Sequence, residues 1–154
     1  MTTTESIEFQ TARERLEEIL RDAPFPVARM DAADLDFLTV RNGVPLTFAI
    51  RSDDLGKPLL LLQAIVLADV PLSNGLYEWA ATEGQWNLRF AAAVHTSGDG
   101  HDMLTFTHSI DLSSADAQVV FDTVQVMLDH AVRKVDDLAA RFGGSPMRVR
   151  GPAD

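Results

Sequence analysis

The chain contains no cysteine. Disulfides, thiolate metal sites and thiol nucleophiles are therefore excluded, and no oxidising compartment is required. The expected location is the cytoplasm. Basic residues are few, 13 Lys and Arg against 23 Asp and Glu, a net charge of −10. Without a basic block the chain is a poor ligand for DNA, RNA or anionic membranes. The longest apolar run, Pro58–Val70, is broken by Gln63 and Asp69. It falls short of the roughly 20 residues that cross a bilayer. The opening residues, MTTTESIEFQ, have neither the basic nor the apolar region of a signal peptide. No stretch reads as a catalytic motif.

What is present is a chain of 154 residues, 46% hydrophobic. That length fits one domain, and that content supports a core without cross-links. The spacing of Phe9, Ala12, Leu16, Ile19 and Leu20 predicts a helix over Glu5–Asp22, with Thr2–Thr4 as its cap and Pro24 and Pro26 beyond it. Asn42-Gly43 between Leu35–Arg41 and Val44–Arg51 is a hairpin signal, since both turn positions need positive φ. Leu59–Ala68 reads as a central strand. Ser73 caps a short helix over Asn74–Glu83, with Gly84 after it. Two further strands follow, one alternating at Leu88, Phe90, Ala92 and Val94, the other at Leu104, Phe106, His108 and Ile110. Ser113 or Ser114 is the expected start of a long amphipathic helix ending at Phe142, before Gly143-Gly144.

The fold class expected is α+β: about five antiparallel strands in the order α-β-β-β-α-β-β-α, with the first and last helices on one face. Residues 1–4 are read as a flexible N-terminus, 5–142 as a single domain and 143–154 as a flexible tail.

No catalytic, cofactor-binding or metal-ligating residue is assigned, and no cofactor is expected. His95 and His101 flank one turn with Asp99 and Asp102 beside them. That cluster is the basis of the alternative reading, a small-molecule-binding or enzymatic domain using the His95–Asp102 turn. Such residues are also ordinary in turns. His108, between Phe106 and Ile110, is expected to be a satisfied core histidine, and Asp53-Asp54 a turn. Trp79 and Trp86, with Tyr77 nearby, are candidates for a partner or dimer contact, because tryptophan and tyrosine are enriched at interfaces. Ala91, Ala93, Met103 and Thr105 join them as residues of a sparsely charged sheet face, with Thr47, Ala49 and Thr107, and with Leu59, Leu61, Ile65 and Leu67 beside Gln63.

The segments Leu76-Tyr77-Glu78-Trp79-Ala80 and Trp86-Asn87-Leu88-Arg89-Phe90, and the closing unit Thr105–Phe142, set in this element order, resemble the type III secretion chaperone-like fold. The likeness is to its YbjN-like branch of small bacterial proteins and covers about Glu5 to Phe142. The resemblance implies a non-enzymatic homodimer that binds a segment of a partner protein, in a regulatory or secretion-related role.

Overall fold

The computed structural model describes residues 6–32, 35–83 and 90–152. Helix α1 spans Ile7–Arg21, and Ser6 caps it by accepting from the Phe9 amide at 3.3 Å. The expected cap, Thr2–Thr4, lies outside the described residues. Strands β1 (Ala28–Ala32), β2 (Leu35–Arg41), β3 (Val44–Ser52) and β4 (Pro58–Ala68) follow. Next come α2 (Asn74–Ala81), β5 (Ala91–Thr96), β6 (Asp102–Ile110), α3 (Ala117–Phe142) and β7 (Ser145–Pro146). The α+β class and the antiparallel sheet agree with the sequence pattern. The count does not: among the described residues the sheet has seven strands rather than about five, in the order β1-β2-β3-β4-β6-β5, with β7 paired to β4.

Local chemistry accounts for most of these boundaries. Asn42 and Gly43 have φ of 49° and 84°, and Arg41 pairs directly with Val44 across them. Ser73 caps α2 through the Leu76 amide. α3 starts later than its serines imply. Asp111 holds Ser113 in a turn, its carboxylate accepting from the Ser113 amide and hydroxyl, and Asp116 becomes the cap by accepting from the Val119 amide. The Leu88 end of the expected fourth strand, and Gly84 with it, fall outside the described residues.

The register settles which side of each strand faces the helices. Phe37, Phe48, Leu62 and His108 stand in line across four strands, and Leu46, Ala64, Phe106 and Ala92 form the next row. Leu16, Ile19 and Leu20 of α1, Leu76 of α2 and the Val120–Leu138 stripe of α3 join these rows in one buried cluster. Each fully buried leucine or phenylalanine there contributes about 1.5–3 kcal/mol. The first and last helices thus share one face, as the pattern implies, and α2 lies with them. Salt bridges tie the layers at their margins: Arg29 to Glu17, Arg13 to Asp36, and Arg41 to Asp129.

Two irregularities shape the far end of β4. The register with β6 shifts between Ile65 and Leu67, which places both Val66 and Leu67 in the core. Leu67 was expected on the side of Leu61, Gln63 and Ile65; the bulge turns it inward. Beyond Ala64, β3 no longer pairs with β4. The segment read as a flexible tail occupies that gap: Leu67 and Ala68 pair with Pro146 and Ser145, and the Met147 amide donates to the Val66 carbonyl at 3.1 Å. Farther on, the Val149 amide donates to the Gly43 carbonyl at 2.9 Å, so residues after α3 cross the β2–β3 turn. No described helix is long and apolar enough to cross a membrane.

Candidate functional site

The sheet face turned away from the helices is the most distinctive surface of the molecule. Thr47, Gln63, Thr107 and Ala91 stand in line on it, flanked by the rows Ala49–Leu61–Ser109 and Ile65–Thr105–Ala93. Only Arg51 and His95 can carry charge among the outward residues of β3, β4, β5 and β6, and they stand at opposite ends. The threonine hydroxyls turn towards the sheet. Those of Thr47, Thr105 and Thr107 reach the carbonyls of Gln63, Ala93 and Ala91, each at 3.4 Å. These are long bonds, but they direct the hydroxyls at the backbone and leave methyl groups outward. The face is therefore more apolar than its composition reads.

Its relief is uneven. Thr47, Ala49 and Thr105 are buried between their neighbours, at 4%, 1% and 1% exposed. Leu61, Gln63 and Ile65 are half-buried and form the raised row on β4. Of the residues the sequence nominated, Ala91, Ala93, Met103 and Thr105 share this face. Ala91, Ala93 and Met103 are reachable from outside; Thr105 is not, because its neighbours close over it.

A groove of about 640 Å³ opens at one end of the sheet. The flank of α1 (Ile7, Thr11, Ala12), the β3–β4 turn with Pro58 and Leu59, and the loop around Leu112 line it. Ile7 is 81% exposed at its mouth, and Leu55 in the adjoining turn is 85% exposed. Its charged rim is internally paired, Lys57 with Glu8 at 3.0 Å and Arg15 with Glu18 at 3.4 Å. Asp53 accepts from the Leu55 and Lys57 amides at 2.8 Å, the turn role expected for it. Sequence reasoning missed this groove. Its only signal was a pair of large apolar residues at polar positions, Ile7 and Leu55.

The His95–Asp102 turn lies at the other end of β4. His101 Nδ1 is 2.6 Å from the Asp69 carboxylate, and Asp102 instead accepts from the Thr96 hydroxyl at 2.6 Å. The Asp69 hydrogen bond, then its charge, then those of Asp99 and Asp102, hold the His101 imidazole above its ordinary pKa. His95 belongs to the open face, opposite Met103. No three His, Asp or Glu side chains gather around a metal-sized site among the described residues. What the turn assembles is an exposed ion pair beside a hydrogen-bonded aspartate.

The other two histidines serve the core. His108 stands in the inward row with Leu62, and burial lowers its pKa. His130, on α3, lies against Phe90 and Phe106 with ring centroids 5.2 and 5.3 Å away. Burial, then the charges of Lys134 and Arg133, lower its pKa too.

Trp79 is half-buried and packs on Phe142, whereas Tyr77 is 48% exposed on the outer side of α2. Trp86 lies outside the described residues. The molecule is thus an α+β protein whose sheet has one face under helices and one face open among the described residues. No protein-family model matches the chain, and no curated protein matches it.

Proposed function

We propose that the chain is a non-enzymatic, chaperone-like cytoplasmic protein that works as a homodimer and holds a segment of a partner protein. The observation that carries this reading is the open sheet face. A sheet face meant for bulk water alternates polar and charged groups outward. Here the outward rows of four strands carry no Asp or Glu, in a chain that has 23 of them. A face of this extent with methyl groups outward and chargeable groups only at its two ends supports the reading of a contact surface. The groove beside Ile7 supplies a second apolar site, large enough for one or two side chains of a client segment. The element order, which resembles the YbjN-like branch of the secretion-chaperone fold, supports the same reading.

The test is capture of a defined client. The full chain is incubated with native lysate and cross-linked, and the cross-linked peptides are mapped. Synthetic peptides covering the captured segments are then titrated by fluorescence anisotropy. The reading expects a small set of proteins, each contributing one segment, and weaker peptide binding with Ile7→Glu. It fails if no segment binds, or if binding is indifferent to both the groove and the open face.

A further inference from the structure

We infer that the slot at the end of β4, filled by the chain's own residues 145–149, is a strand-accepting site for an extended, basic segment of the partner protein, and that those residues are its displaceable occupant. This rests on the client-binding reading above. It adds where the backbone of the client is held and what keeps that place closed.

The slot arises from a mismatch of strand lengths. β3 stops pairing at Leu46, opposite Ala64, whereas β4 runs on to Ala68. An edge left bare in this way offers its backbone groups to any extended chain. Ser145 and Pro146 pair with Ala68 and Leu67. The Met147 amide then donates to the Val66 carbonyl, and the Val149 amide donates to the Gly43 carbonyl across the turn. This is strand addition, in which main-chain hydrogen bonds bind a segment and its side chains select it. The slot follows directly on Ile65, the end of the raised row on the open face. Successive side chains of a strand point to opposite sides of a sheet. A segment seated here therefore presents alternate side chains on the side of that face.

The occupant is fixed at its start and loosely held beyond. Gly144 has a φ of 81°, and a Cβ there would lie 2.9 Å from both the Ala68 carbonyl oxygen and Val70 Cα. After it no described side chain is buried: Pro146 and Met147 are half-buried, while Ser145, Arg148, Val149 and Arg150 are exposed. The ion pair between Arg148 and Asp136, at 3.3 Å, is open to solvent on both sides. A segment with few apolar contacts and exposed hydrogen bonds opens locally, well before the whole fold does.

Charge describes what fits. Arg148 and Arg150 are the only charged residues between Phe142 and Ala153, in a chain of net charge −10. Asp136 on α3 receives the first of them. The occupant thus outlines its replacement: a residue that needs no amide opposite Leu67, a cation two places on, and a donating amide on each side of that cation. An acidic protein attracts such a segment.

Amide exchange on the full wild-type chain is the first test. The Met147 and Val149 amides should exchange at least 100-fold faster, as an order of magnitude, than the protected amides in the middle of β4 and β6. Equal protection overturns the proposal, because the segment then opens only with the fold. Binding is the second test. The full chain carrying both Met147→Pro and Val149→Pro lacks the two donated amides and releases the segment. A fluorescent hexapeptide with the sequence of residues 145–150 is titrated by anisotropy. It should bind this variant roughly tenfold or more tightly than wild type, where the tethered segment competes at an effective concentration of the order of millimolar. The same peptide carrying Arg148→Glu should lose most of that affinity. Binding that is absent, or equal in variant and wild type, overturns the site. Client segments mapped from lysate should show the same preference for the variant. If they bind both proteins equally, residues 145–149 only cover an edge; the site falls and the client-binding reading stands. If the hexapeptide binds and no client segment does, that reading falls and the partner with it, leaving a slot that only the chain's own segment fills.

Discussion

Trp79 and Phe142 lie ring against ring, centroids 5.6 Å apart and planes tilted by 56°. One residue is on α2, the other is the last of α3, and Arg141 reaches across the same junction to Glu83 at 3.0 Å. The aromatic pair fastens the short helix to the end of the long one. Trp79 thus has an internal role, and of the tryptophan and tyrosine expected at an interface only Tyr77 presents a largely exposed ring among the described residues.

Trp79→Ala should destabilise the fold by about 2 kcal/mol, less than a fully buried tryptophan because the ring is half-exposed. Urea unfolding followed by circular dichroism measures it. A change below the scatter of the method would mean that α2 does not depend on this contact.

Phe121→Ala should cost about 3–5 kcal/mol. Phe121 is 7% exposed and meets Phe25 edge to face at 5.9 Å. Its loss opens a cavity between α3 and the segment that leads from α1 into the sheet. Ring truncation at Phe25 should be the milder change, since Phe25 is only partly buried.

Asp36→Ala should cost about 1–3 kcal/mol. One carboxylate oxygen accepts from the Ile50 amide at 2.9 Å and the other from Arg13 at 3.0 Å. Here a side chain replaces a rung of the β2–β3 ladder. Asp36→Asn should recover part of the loss, because the amide oxygen can still accept from Ile50. Equal effects for Ala and Asn would show that the rung carries no stability.

Stability should fall with mild acid. His108 and His130 are held below the ordinary imidazole value of 6.5, in both cases mainly by burial. Such groups take up protons more readily when unfolded. Their contribution is complete above 6.5 and is lost as pH falls from there through their lowered values. His101 has the opposite sign: paired with Asp69, its contribution is complete below 6.5 and lost as pH rises through its raised value. The melting temperature should therefore drop between neutral pH and mild acid. It should drop less in His130→Phe, which keeps a ring against Phe90 and Phe106, and more in Asp69→Asn. An identical pH profile in all three proteins would contradict this assignment.

The elements legible in the sequence are those whose signals are local. Asn42-Gly43 specifies its turn by backbone conformation, Ser73 specifies a helix start by one hydroxyl, and the stripe of α3 specifies its buried side. The missed elements depend on distant partners. Ala28–Ala32 has no alternation and forms a strand because the edge of β2 accepts it; Ser145–Pro146 does so because β4 outruns β3. The start of α3 was misplaced because Ser113, a fair cap by type, is taken by Asp111. On the open face, the composition of the rows was legible, whereas the covering of Thr105 was not. It follows from which residues the register sets beside Thr105. The continuous apolar run of β4 also hid its own bulge at Val66.

β4 is flanked by β3 on one side, by β6 on the other, and by β7 beyond the end of β3. Only β3 is already made when β4 leaves the ribosome. The β6 flank stays open until Ile110 has been added, and the last rungs wait for Ser145. At about 5–20 residues per second, an apolar strand spends seconds with an unpaired edge. During that interval the growing chain is itself the kind of exposed segment that chaperones recognise, and within β4 Gln63 is the one polar residue that interrupts its apolar run.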